Sequence, residues 1–190
     1  MLQLHVSTRP QWLKTVLEDF DAFLLDHAAA ERKASAVALS LISHYPDRKR
    51  LVAAMMDLAR EELEHFYQVY RQLDARGLTL TKDRKDIYVR DLLQQIRSGR
   101  DDYFLDRLLV AGIVETRGCE RFGLIAEALA GEALGEFYRA IADSEARHGD
   151  VFIGLARSYF PADQIGARLD ALLGAEASIL AALEIRAALH

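Results

Sequence analysis

The sequence predicts an all-α fold: a four-helix bundle with a crossover connection and an additional C-terminal helix. Three observations lead there. Hydrophobic residues make up 51% of the 190 residues and only 3 are proline, a composition that suits long helices and is poor in chain breakers. Apolar residues recur at three- and four-residue spacings, as in Leu134, Ile141, Phe152 and Leu155. An acidic residue followed about thirty residues later by Glu-x-x-His occurs twice, the separation required by two antiparallel helices joined by a short turn.

Along the chain, Thr8-Arg9-Pro10 reads as a helix start, with Thr8 as N-cap and proline tolerated in the first turn. The helical pattern runs from Trp12 through Phe20, Leu24, Glu31, Ala38 and Leu41 and stops at Tyr45-Pro46, with a break expected near Asp19 or Asp21. Asp47 is the expected N-cap of the second helix, which runs to about Gly77, where the missing side chain suits a C-terminal cap. Met55, Leu58, Glu62, His65 and Val69 lie on its inward face, while Glu61 and Glu64 fall to the sides. Leu78 to Arg100 breaks the rhythm: a shorter helical piece starts at Thr81-Lys82-Asp83 and ends at Ser98-Gly99, long enough to return the chain along a bundle. Asp101 then caps a helix through Leu105, Leu108, Gly112, Glu115, Cys119 and Phe122, ending around Gly131. The next ends near Phe160-Pro161, and Ala162 to Leu189 reads as a fifth helix with no inward acid at metal-ligand spacing.

Glu145 and His148 sit one turn apart within an otherwise apolar stripe, as do Glu62 and His65. Burying such groups without partners costs several kcal/mol, and a metal cation removes that penalty because carboxylate and neutral imidazole are both good ligands. With the lone inward residues Glu31 and Glu115, the pattern Glu, then Glu-x-x-His, is complete twice. That is the ligand set of the di-iron carboxylate four-helix bundles, and a long connection between two helical hairpins is what a ferritin-like bundle needs. Four amphipathic helices whose acids merely align is the competing reading, and matched spacing in both halves weighs against it.

Four carboxylates offer four negative charges to two divalent cations, and hard oxygen ligands favour iron or manganese. Zinc prefers a closed four-ligand shell and has no redox chemistry. His27, one turn before Glu31, is expected near the site or in solvent rather than on the metal. Glu61 and Ser144 are candidates to hold the imidazoles, and Arg147 to pair with an acid. Cys119 reads as a small apolar residue. Gly112 either leaves a gap for dioxygen or a substrate tail or allows close helix packing.

Composition narrows the setting. One Cys forms no internal disulfide, so a reducing compartment is expected. Met1-Leu2-Gln3-Leu4-His5 has no basic segment ahead of an apolar run, and no stretch approaches a membrane span, so a soluble cytoplasmic protein of one domain, residues 1–190, is expected. A net charge of −5 argues against non-specific coating of nucleic acid while leaving room for local basic patches.

At Ala29-Ala30-Glu31-Arg32-Lys33-Ala34, Glu61-Glu62-Leu63-Glu64-His65-Phe66, Glu115-Thr116-Arg117-Gly118-Cys119-Glu120-Arg121-Phe122 and Ser144-Glu145-Ala146-Arg147-His148 the chain resembles the tRNA 2-methylthio-N6-isopentenyladenosine hydroxylase family. The likeness spans the four bundle helices, with Cys-Glu-Arg-Phe and Glu-Ala-Arg-His its most specific parts. It implies a ferritin-like di-iron monooxygenase that hydroxylates the isopentenyl group of the modified adenosine beside the tRNA anticodon. Such an enzyme uses dioxygen and two electrons from an external donor, a reductase or ferredoxin. It implies Glu31, Glu62, His65, Glu115, Glu145 and His148 as the metal-binding and catalytic residues. Thr116-Arg117-Gly118 departs from an expected Ala-Arg-Ser, which touches the packing of the inner wall and leaves the ligands in place. For a tRNA anticodon stem-loop, Arg48-Lys49-Arg50 and Lys82, Arg84 and Lys85 are the candidate contacts. Competing functions are another di-iron oxygenase with a small apolar substrate, iron storage or peroxide detoxification, and a metal-free helical interaction module. A single Cys excludes the rubredoxin-type site of a rubrerythrin.

Overall fold

Seven helices and no strand make up the computed structural model, which describes residues 2–190: α1 (Pro10–Glu18), α2 (Phe20–His44), α3 (Lys49–Ala75), α4 (Ile87–Leu93), α5 (Arg100–Ala128), α6 (Ala133–Tyr159) and α7 (Ala162–Ala182). The all-α reading therefore holds among the described residues, and no helix there is long and apolar enough to cross a membrane.

The expected break falls at Asp19, whose carboxylate accepts from the Ala22 amide at 3.3 Å and caps α2. Other caps differ from expectation. α1 begins at Pro10, and Thr8 is not its cap, because the Thr8 hydroxyl donates to Glu120 Oε2 at 2.7 Å instead. Arg48, not Asp47, occupies the cap of α3, with no side-chain cap bond, and Gly99, not Asp101, that of α5. Asp101 and Asp102 sit in the first turn of α5, where negative charge favours the helix dipole without capping it. The crossover helix begins at Ile87 rather than Thr81, because Asp86 accepts from the Val89 amide at 2.9 Å.

Gly77 does end α3 as expected. The Gly77 amide donates to Asp74 O at 2.9 Å and the Leu78 amide to Leu73 O at 2.9 Å, a Schellman closure with Gly77 at φ 69°. A Cβ there would meet nothing within 4 Å, so the glycine answers to backbone conformation alone. Gly77→Ala is expected to cost about 1 kcal/mol, a fall of roughly 2–4 °C in melting temperature. An unchanged thermal melt would show that the turn relaxes out of the left-handed region.

The helical reading of Ala162 to Leu189 is corrected: α7 stops at Ala182. Arg9 decides this, donating from Nη2 to the Leu183 carbonyl at 2.7 Å and to the Leu180 carbonyl at 3.4 Å, a cationic cap on the last carbonyls.

The chain forms two compact units, residues 14–84 with 186–189 and residues 2–13 with 85–185 and 190. In the first, α2 and α3 pack through Phe23, Leu24, Ala38, Leu41, Met55 and Val69, all fully buried or nearly so. Ser35 Oγ donates to the Ala59 carbonyl at 2.9 Å, a contact that a larger residue would hold apart. The returning segment 186–189 joins this unit where the Leu189 amide donates to Asp26 Oδ2 at 2.8 Å.

In the other unit α5 lies against α6. Phe122 stacks on Tyr138 with ring centroids 5.7 Å apart. Gly112 holds no open gap: a Cβ on it would meet Ile153 Cδ1 at 3.2 Å, so of the two roles weighed for it close packing is the one present. Asp106, fully buried on α5, accepts from Arg97 Nη2 at 2.8 Å and from Arg168 Nε at 2.9 Å. Burial alone would raise this carboxyl, but the hydrogen bonds from Arg97 and Arg168 outweigh it and hold the group below its ordinary value. A carboxylate with a folded pKa below its unfolded one gives stability that is full above the unfolded value, about 3.9, and lost as pH falls through the folded one. The stability gap between wild type and Asp106→Asn, wide near about pH 5, is therefore expected to narrow toward about pH 2 in urea titrations. A gap constant with pH would refute it.

Candidate metal centre

Each unit carries a matched set of buried carboxylate and imidazole. In the α2–α3 unit, Glu31, Glu62 and His65 are 3%, 1% and 8% exposed, far below what uncompensated acids tolerate. His65 Nδ1 lies 3.5 Å from Glu31 Oε2 and 3.8 Å from Glu62 Oε2. The i, i+3 spacing of Glu62 and His65 turns both to one side of α3, where the buried Met55, Leu58 and Val69 lie.

α6 repeats the arrangement in the other unit. Glu145 and His148 are buried, and His148 Nδ1 lies 3.5 Å from Glu145 Oε2. Ile141, Ala142 and Phe152, also buried, extend the same helix around them. Glu115, on α5, is half-buried, and its Cβ lies 3.8 Å from where a Cβ on Gly149 would stand, so it reaches α6 one residue beyond His148. Thr116 Oγ1 would be 3.2 Å from that same Cβ; the bare backbone of Gly149 lets the two helices close at this level.

The donor set suits a hard divalent cation. Adjacent ligands on an octahedral ion with bonds of about 2.1 Å lie about 3 Å apart. The separations of 3.5–3.8 Å between imidazole nitrogen and carboxylate oxygen are a slightly expanded version of that spacing. They are longer than ordinary hydrogen bonds between such groups. Carboxylate and imidazole without thiolate favour iron or manganese, and their oxygens leave the metal able to change valence.

Other residues singled out in the sequence settle around this core. His27 is not solvated: it is fully buried, and its Nε2 lies 2.5 Å from Glu31 Oε1. Glu61 and Glu64 are exposed, as expected, and Glu64 accepts from Gln68. Ser144 is buried and accepts from Arg147 Nη2 at 3.0 Å, and Arg147 Nη1 donates to the Asp143 carbonyl. Burial pushes the Cys119 thiol up to about 11, with Glu145 and Asp143 adding to it, so it is a protonated apolar filler rather than a thiolate ligand.

One buried ionic cluster has no signature in the sequence. Arg117, fully buried on α5, donates from Nε to Glu176 Oε1 at 2.9 Å, from Nη2 to the Val6 carbonyl at 2.9 Å, and from Nη1 to Glu120 Oε2. The Tyr88 hydroxyl also donates to Glu176 Oε1, at 3.0 Å. Arg121 stands over the Trp12 ring at 4.8 Å, and burial pulls its guanidinium down to about 10, still charged at neutral pH. The inward acid of α7 is therefore Glu176, and its partner is an arginine.

Comparison with known proteins follows the same lines. The model of the family described as tRNA-(ms2io6A)-hydroxylase (MiaE) matches residues 2–190. A Pseudomonas putida protein named tRNA 2-(methylsulfanyl)-N(6)-isopentenyladenosine(37) hydroxylase is 34% identical over 177 residues, 93% of this chain and 86% of that protein. A Salmonella typhimurium protein of the same name is 34% identical over 124 residues, 65% of this chain and 45% of that protein. Among solved structures, a protein from Synechococcus with aldehyde deformylating oxygenase activity superposes with a TM-score of 0.93 at 36% identity, covering 98% of this chain and 93% of that one. The fold class is ferritin-like.

Proposed function

Because this chain belongs to the tRNA-(ms2io6A)-hydroxylase family, we propose that it is a dioxygen-dependent hydroxylase of the isopentenyl group of 2-methylthio-N6-isopentenyladenosine, beside the anticodon in tRNA. The family match over residues 2–190 carries the substrate in this reading, and the repeated half-site supports its chemistry: buried carboxylate and imidazole one turn apart on α3 and again on α6. Glu62, His65, Glu145 and His148 make a buried group that could hold metal. In this reading Glu31 and Glu115 complete a set of six ligands for two irons, with residues 1–190 acting as one catalytic domain.

Bound iron supplies the activation of dioxygen that an unactivated methyl group requires, with electrons from an external reductase or ferredoxin. The residues of the chain do the rest. Their carboxylates neutralise the cations in a low-dielectric interior, and their imidazoles fix the ligand field. The apolar neighbours Leu58, Met55, Ile141 and Phe152 exclude water from the chemistry. The substrate tail is apolar enough to enter such a site, whereas the rest of the tRNA stays outside and meets basic side chains. Lys49 and Arg50 are exposed, and Lys82 and Arg84 line a surface cleft with Arg186 and with the acids Asp19, Asp26 and Asp83; of the two groups, Arg48-Lys49-Arg50 is the one with no acid among its own residues, and both are the proposed phosphate contacts.

Mass spectrometry of tRNA nucleosides from cells with and without the protein tests the reading. Hydroxylated nucleoside is expected only in its presence, and the unhydroxylated form should accumulate without it; identical profiles would refute the assignment. The likeness to the Synechococcus oxygenase favours a second reading, oxygen chemistry on a free apolar substrate such as an aldehyde. Incubating the reduced, iron-loaded protein with isopentenylated tRNA and with an apolar aldehyde in parallel separates the two.

A further inference from the structure

We propose that His27 is a positioning residue for the Glu31 carboxylate, dividing its two oxygens between a hydrogen bond and the metal. This rests on the di-iron reading above. His27 and Glu31 are one turn apart on α2 and share a face, and both are buried, His27 completely. His27 Nε2 lies 2.5 Å from Glu31 Oε1, within hydrogen-bonding reach.

In the tautomer that carries its proton on Nε2, His27 donates to Glu31 Oε1, the arrangement an ionised carboxylate ligand requires because it only accepts. Two consequences follow. The nitrogen nearest the site is committed to Glu31, which makes His27 a holder of a ligand rather than a ligand. The remaining oxygen, Oε2, is the one turned toward α3, 3.5 Å from His65 Nδ1. Phe23, one turn before His27 on α2, lies against the imidazole with ring centroids 5.8 Å apart and narrows its freedom to rotate. A glutamate left to itself has three rotatable bonds and can offer a metal either oxygen or both. Hydrogen-bonded to His27 through Oε1, it is held with Oε2 toward α3.

The test is anaerobic titration of ferrous iron into metal-free protein against a chromogenic chelator, for wild type, His27→Leu and His27→Gln, with the spectrum of the oxidised site and the helical circular dichroism recorded for each. Leucine keeps the volume and removes the donor; glutamine keeps an N–H donor at similar reach. Wild type is expected to take up two irons. His27→Leu should weaken uptake by about 10- to 100-fold with helicity unchanged and shift the spectrum of the oxidised site, and His27→Gln should stay close to wild type. Wild-type affinity and spectrum in His27→Leu would overturn the proposal, as would a His27→Gln as weak as His27→Leu, since that would mean packing rather than donation. If His27→Leu does not fold, His27→Asn, too short to reach Glu31, replaces it: weak binding beside a normal His27→Gln supports the proposal, and equal binding overturns it. A wild-type chain that takes up no iron would instead overturn the di-iron reading itself.

Discussion

His148→Ala is expected to abolish hydroxylation, with turnover falling about 1000-fold or more, equivalent to roughly 4 kcal/mol of lost transition-state stabilisation. The imidazole is 2% exposed and lies 3.5 Å from Glu145 Oε2, so its removal deletes a proposed ligand and leaves a buried acid without this neighbour. Iron content measured by plasma emission should fall together with activity, and Glu145→Ala should behave the same way, because each half-site works as a unit. Metal that binds only the folded chain stabilises it by mass action, so chelation should lower the melting temperature of wild type and change that of His148→Ala little. Glu64→Ala is the control: Glu64 neighbours His65 in sequence, yet it is exposed and bonded to Gln68. Full activity and two irons in His148→Ala would remove this residue from the ligand set.

The largest effect on stability alone is expected from Glu176→Ala. Arg117 and Glu176 are both fully buried and meet at 2.8–2.9 Å, and Tyr88 donates to the same carboxylate oxygen. Removing one partner of a buried pair leaves an uncompensated charge and costs about 3–5 kcal/mol. Glu120, partly exposed and also bonded to Arg117, offsets some of that, which puts the expectation near the lower end. A loss of about 3 kcal/mol in a chain of this size is a fall of roughly 6–12 °C. The double variant Arg117→Met with Glu176→Leu should regain most of it, because exchanging a buried ion pair for packed apolar groups is often neutral. Calorimetry of both variants decides the matter: a double variant as unstable as Glu176→Ala would mean that the pair is needed for more than mutual charge compensation.

What is legible in the sequence is what lies within one helix. Glu62 with His65, and Glu145 with His148, are pairs whose faces follow from 3.6 residues per turn, so spacing alone determines their burial and common direction. His27 with Glu31 has the same local logic, but an imidazole on an apolar stripe carries no signature of its own, and only the 2.5 Å contact points to a role for it. The C-terminal end of α3 is readable because a left-handed residue is a local demand that glycine meets.

The tertiary structure alone decides where a side chain has a better partner far along the chain than near it. Thr8 and Asp47 have the chemistry of caps, yet Thr8 is taken by Glu120, 112 residues away. α7 stops at Ala182 because Arg9, 174 residues from Leu183, reaches its carbonyls, although the Ala- and Leu-rich run beyond would have sustained a helix. Arg117 finds Glu176 across 59 residues, and Asp106 finds Arg168 across 62. Periodicity tells which face of a helix is buried, because burial is a property of one side chain and its neighbours on the same turn. Which charge compensates a buried arginine is a property of two segments brought together by folding, and no local pattern encodes it.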